Sequence, residues 1–170
     1  RFDLSEYVST LERKGLSIKE VNLMLRDSQA GNTGNFVHSQ SVGNNVSATV
    51  VQKSQLKIFA TTRAYEDAAD VGIASPDVLH IETWTTYLGP APSDVVPGSI
   101  YMYADHYVYP TENLHPDGFP VVTDLLFGVA VDSWNLINQK DIELDVMLIA
   151  EPITINQKQL TEMLVQGQDQ

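Results

Sequence analysis

The residues best placed to do chemistry lie between Ala104 and Gly118. That stretch holds His106 and His115, Asp105 and Asp117, and Glu112. Imidazole and carboxylate together suit a divalent metal, and a loop can fold such groups onto one ion. A metal-dependent enzyme would therefore use His106, His115, Asp105 and Asp117. Two features oppose that reading. Asp105 and His106 are adjacent, and adjacent side chains on a strand point to opposite faces. Leu114-His115-Pro116-Asp117-Gly118 is also ordinary turn chemistry. The expectation is a structural loop, with no metal and no cofactor. His38 and His80 stand alone in strand-like runs and read as packed or surface residues.

Other catalytic signatures fail on spacing. The chain has no cysteine, which removes disulfides, thiolate metal sites and thiol nucleophiles. Ser99 follows Gly98 directly, the wrong spacing for a G-x-S-x-G elbow. Walker A, dinucleotide and H-E-x-x-H patterns are absent. Asp141-x-Glu143-x-Asp145 opens like a calcium loop, but Val146 stands where an EF-hand needs glycine. An alternating strand accounts for those carboxylates. Leu16 to Val21 looks like the first helix of a helix-turn-helix. Gly31-Asn32-Thr33-Gly34 then falls where the recognition helix should start. Asn45-Val46-Ser47 matches a glycosylation acceptor as a lone tripeptide.

A second pattern concerns contact rather than catalysis. Tyr101, Tyr103, Tyr107 and Tyr109 share one parity of their run, and Ile100, Met102, Ala104 and Val108 share the other. The aliphatic side reads as core. The tyrosine side must then meet something amphipathic: a second layer, another subunit or a sugar. Trp84 and Tyr87, in the run before, would extend that surface.

Charge sharpens the contact reading. The 170 residues carry a formal net charge of −12. From Ala64 to Gln139 there is no Lys or Arg, while eleven Asp and Glu fall there. The first 63 residues are weakly positive. Nucleic acid needs a basic face, so it is not the expected partner. No apolar run approaches the roughly 18 residues of a membrane span, so no membrane insertion is expected. No signal peptide is visible, and Arg1 reads as the start of a trimmed chain.

The elements that must position these residues follow from periodicity. Asp3-Leu4-Ser5-Glu6 reads as a capping box, and Leu4, Tyr7, Val8 and Leu11 fall at helical spacing. Gly15 reads as the stop. Ser17 to Glu20 repeats the cap, with Ile18, Val21, Met24 and Leu25 as a second stripe. Residues 1–34 are thus predicted to form a helical hairpin, an arm packed on the main domain. After Asn35 the period becomes alternating. Gly43-Asn44-Asn45 is a turn, and strands are predicted near 46–50, 56–60, 78–88, 99–109, 121–131 and 142–148. The run from Val121 to Val131 reads as one strand buried on both faces. Residues 156–165 read as a last amphipathic helix, with a frayed tail.

One domain results. Its fold class is mainly β: an antiparallel β-sandwich, or its jelly-roll variant, over 35–155, with helices over 1–34 and 156–170. The leading functional expectation is a non-enzymatic structural subunit of a homo-oligomeric assembly, of the virion or capsid kind, in a virion or extracellular surface assembly rather than the cytoplasm. Its partners would be copies of itself and other assembly proteins. The contact residues would be Tyr101, Tyr103, Tyr107, Tyr109 and Trp84. A carbohydrate- or ligand-binding sandwich is the alternative, and a metal-dependent enzyme the third.

Overall fold

The computed structural model describes residues 1–27, 52–90, 100–110, 117–132 and 142–166. Seven strands and one helix lie there: β1 (Lys14–Asp27), β2 (Gln52–Thr61), β3 (Val78–Pro90), β4 (Ile100–Tyr109), β5 (Phe119–Val121), β6 (Leu126–Asp132), β7 (Ile142–Thr154) and α1 (Gln157–Gln166). They form two antiparallel sheets. One has the order β5-β1-β7, the other β4-β3-β2-β6. The predicted mainly β class and the C-terminal helix are both present.

The N-terminal helical hairpin is corrected. Its second predicted helix is β1, the central strand of the three-stranded sheet. A bulge explains why the spacing read as helical. Ile18 pairs with Ala150 and Glu20 with Ile149, so Lys19 is an extra residue in the ladder. One extra residue turns a two-residue step into a three-residue step. Ile18 and Val21 are both buried in one cluster, and Leu25 is buried in the next. The spacing of Ile18, Val21 and Leu25 imitates a helix face, although the chain is extended.

The first predicted helix is a single turn. Asp3 accepts from the Ser5 amide at 2.8 Å, and the Val8 amide reaches the Leu4 carbonyl at 3.0 Å. Ser9 and Lys14 then bridge, and the chain reverses with Arg13 at φ 55°. Leu4 is sealed in the core, whereas Leu11 is 96% exposed, so the stripe is not continued. Gly15 is not the stop. It sits where Ile155 and the Val121 carbonyl come too close for a Cβ. Phe2 and Leu125 bridge through both backbone hydrogen bonds, which holds the N-terminus to the body. Residues 28–34 of the predicted hairpin, the 46–50 strand and the Gly43 turn fall outside the described residues.

The predicted strand from Val121 to Val131 is also corrected. It is two strands in two sheets. The chain leaves the three-stranded sheet after Val121, turns through Val122–Leu125 and joins the four-stranded sheet at Leu126. Burial on both faces does not hold either, since Val129 and Val131 are more than half exposed on β6, an edge strand. A continuous apolar run does not carry the information that would separate these cases.

The alternations predicted for 56–60 and 142–148 are present. Leu56, Ile58 and Ala60 are buried, and Lys57 and Phe59 face the other way. On β7, Leu144, Val146 and Leu148 are half-buried while Glu143, Asp145 and Met147 are exposed. Both sheets contribute to the same core. Ile18 and Val21 of β1 cluster with Ala60 and Leu79; Leu25 of β1 clusters with Leu56 and Ile58. Each such Ile or Leu contributes about 1.5–3 kcal/mol on burial.

A third cluster lies on the other face of the four-stranded sheet. Val71, from the 62–77 connection, covers Val78 and Ile81, with Phe59 and Tyr65 beside them. Lys57 holds this connection by donating to the Ala68 and Val71 carbonyls at 2.6 and 2.5 Å. Burial lowers the Lys57 ammonium from its ordinary range, opposed by Asp67 and Asp70.

Candidate functional site

Strands β3 and β4 form a long ribbon that carries most of the residues singled out from the sequence. Thr, Trp and Tyr suit a pleated surface, and β3 is rich in all three. The ladder runs from Ile81↔Tyr109 to Pro90↔Ile100 with no register shift. Residues directly opposite each other share a face. Thr83↔Tyr107, Thr85↔Asp105 and Tyr87↔Tyr103 therefore define one face, which is the Phe59–Ile81 side of the sheet. Glu82↔Val108, Trp84↔His106 and Thr86↔Ala104 define the other, which is the Leu56–Ile58 side.

The tyrosine row keeps the parity the sequence gives it. Tyr103 and Tyr107 are each 45% exposed, and Tyr109 is half-buried. Tyr103 sits beside Tyr87 with ring centroids 6.3 Å apart. Tyr101 pairs with Gly89 in the ladder. The opposite, aliphatic parity is not sealed core: Met102 and Ala104 are exposed. β4 is thus an end strand with side chains open on both faces.

Behind it lies a cluster that the sequence reading did not assemble. The Glu82 carboxylate is buried, with His80 Nε2 at 2.8 Å from one oxygen and His106 Nε2 at 3.0 Å from the other. Both imidazoles meet the carboxylate through Nε2. His80 is buried and His106 is nearly half exposed. The His106 ring stacks on Trp84 at 4.5 Å and 11°. Trp84 also packs against the Leu25–Leu56–Ile58 cluster, so its faces are already in use. The signal for three of these four residues was legible: His80, Glu82 and Trp84 alternate, so they share a strand face. His106 joins them through the β3–β4 register, which no local pattern specifies.

A carboxylate that orients an imidazole is one part of a nucleophilic triad. Among the described residues no hydroxyl is paired with either imidazole. The geometry therefore supplies an ordered, half-buried tie between β3 and β4. Thr86, on the same face, is fully buried, and its hydroxyl has no hydrogen-bond partner.

Three of the four metal candidates, Asp105, His106 and Asp117, lie among the described residues. His106 faces Glu82, and Asp105 lies on the other side of the same strand. The Asp117 carbonyl accepts from the Ser17 hydroxyl at 2.6 Å. His115 falls outside the described residues, as does His38. Among the described residues no group of three or more His, Asp and Glu is arranged to hold a metal ion.

Three basic residues of the N-terminal third, Arg1, Lys53 and Arg63, pair with carboxylates of the acidic middle, and others pair locally or with β7. Arg1 pairs with Asp124, Lys14 with Glu12, Lys19 with Glu151, and Arg26 with both Glu143 and Asp145. Lys53 pairs with Asp132 and Arg63 with Asp77, while Arg13 donates to Gln157.

Comparison with protein families, with curated proteins and with solved structures returned no match.

Proposed function

We propose that the chain is a non-enzymatic structural subunit that assembles with copies of itself through β4. One observation carries this reading. β4 is a ten-residue end strand with Met102, Tyr103 and Tyr107 exposed. Natural end strands are blunted by lysine, proline or bulges. β4 has none of these between Ile100 and Tyr109, and its one charged side chain is Asp105, apart from the imidazole of His106. Among the described residues the outer side of β4 has no partner strand, and an open ladder with aromatic cover is a template for a second strand.

The two sheets support a β-sandwich, because they share two clusters. A jelly-roll would send most successive strands to alternate sheets, whereas β2, β3 and β4 lie side by side in one. The sandwich is the reading carried forward. A virion shell remains the proposed kind of assembly, by analogy of architecture. The helical arm expected over 1–34 plays no part in it, because β1 is built into a sheet, and the proposed contact is the β4 edge.

Charge pairing is not the proposed glue. Association should therefore survive about 1 M salt, where the Debye length is about 3 Å. Sedimentation velocity over a concentration series tests this. Dimers or larger species are expected, with Tyr103→Lys plus Tyr107→Lys dissociating them at unchanged melting temperature. A monomer at every concentration defeats the reading, as does assembly that ignores both lysines.

The pairing of exposed Tyr103 with half-buried Tyr87 favours a second reading, a carbohydrate platform. Glycan-array binding abolished by Tyr103→Ala would favour it over assembly.

A further inference from the structure

The proposed contact can be taken further, because a strand that pairs with its own copy has few registers open to it. We propose that two β4 strands pair antiparallel about a two-fold axis that passes through Ala104. The inference rests on the assembly reading above and specifies its geometry.

In an antiparallel pair, residues directly opposite each other point to the same face. Two copies of one strand related by a two-fold axis must therefore place that axis on a residue, never between two. Tyrosine then meets the tyrosine row, and the Met102–Ala104–His106 row meets itself. Four axis positions leave most of the ten-residue strand paired: Tyr103, Ala104, Asp105 and His106.

Asp105 is excluded by charge. It would face its own copy directly, and like charges directly opposite are destabilising. Neither β4 nor its neighbour β3 carries a Lys or Arg to relieve it. Tyr103 and His106 are disfavoured by length, because only residues 100–106 or 103–109 would find partners within the strand. An axis at Ala104 pairs all of residues 100–108. It sets Asp105 opposite Tyr103 and moves the two carboxylates to a diagonal roughly 7–8 Å apart. It also sets His106 opposite Met102, leaving the Glu82 tie within each subunit intact. The smallest side chain of the strand falls on the axis. The two four-stranded sheets become one sheet of eight strands in the order β6-β2-β3-β4-β4-β3-β2-β6.

The chain has no cysteine, so introduced ones report without background. Residues on the axis lie about 4.5–5.5 Å apart at Cα, within the range a disulfide spans. Ala104→Cys, Asp105→Cys and His106→Cys are oxidised in parallel and read as covalent dimer on a non-reducing gel. Ala104→Cys is expected to give most of the covalent dimer, with little from the other two. A second measurement needs no substitution. Alternate backbone amides across residues 100–108 should exchange at least about tenfold more slowly in the concentrated protein than in the dilute one.

A dominant dimer from Asp105→Cys or His106→Cys overturns the Ala104 axis. Assembly that persists in sedimentation with no cross-link from Ala104→Cys, and no change at those amides, overturns β4 pairing while leaving self-association standing. A monomeric chain removes both.

Discussion

Two long end strands of this molecule have opposite characters. β7 borders the three-stranded sheet and β4 borders the four-stranded sheet. β7 carries Glu143, Asp145 and Glu151 on its exposed side, and Pro152 near its end. Arg26 donates to Asp145 at 2.8 Å and pairs with Glu143 at 2.9 Å, and Lys19 reaches Glu151 at 3.5 Å. β4 has tyrosine, methionine and one aspartate. Both strands are extended and antiparallel to an inner neighbour, so backbone geometry does not separate them. Side chains do. Charge and proline blunt an edge against further pairing, and β4 has no proline and a single carboxylate, Asp105. A chain that protects one long edge and leaves the other bare differs from one that simply tolerates exposed edges.

The contrast is confined to the surface, and the core tests that first. Ile18→Ala lies behind the β1–β7 ladder, and Ile58→Ala lies under β2 and β3. Each is fully buried and should cost about 2–5 kcal/mol in denaturant unfolding. A cost under about 1 kcal/mol at Ile58 would mean that the four-stranded sheet is not sealed against the other.

The tie behind β4 comes next. Glu82→Leu removes the carboxylate that two imidazoles meet and leaves buried His80 without its recorded partner. A loss of about 1–3 kcal/mol is expected, together with faster amide exchange along β4. Unchanged stability would show that the cluster does not hold the edge.

Edge character can then be exchanged. In the Tyr103→Lys plus Tyr107→Lys background, Glu143→Thr with Asp145→Thr strips charge from β7 and should restore concentration-dependent association at near-constant stability, since exposed substitutions usually stay within about 0.5 kcal/mol. If β7 without its charges stays monomeric under conditions where β4 associates, charge is not what distinguishes the two edges.

The smallest effect is electrostatic. The hydrogen bond from Arg26, with its charge, holds the Asp145 carboxyl below its ordinary range. A depressed carboxyl contributes stability that is present above its unfolded value near 3.8. That contribution is lost as pH falls through the folded value. Asp145→Asn should therefore lower the melting temperature slightly at neutral pH, with the difference closing in strong acid. A difference that widens in acid would contradict the pairing.

Local order in the sequence was sufficient for the strands that obey one period throughout. Leu56-x-Ile58-x-Ala60 and the β7 alternation name their buried faces without help, because a pleat has a period of two. The tyrosine parity of β4 is of the same kind. The capping aspartate at Asp3 was legible too, but only as one turn.

Three features needed the tertiary structure. The bulge at Lys19 made an extended strand read as a helix, since one inserted residue changes the step from two to three. The run from Val121 to Val131 concealed a passage between sheets, because burial in either sheet asks for the same residue types. The Glu82 cluster depends on His106, which sits 24 residues away in sequence. Sequence patterns report what each segment wants to bury. Which segment lies beside it is decided by long-range pairing, and in this chain that pairing brings His106 to Glu82 and leaves β4 at an edge.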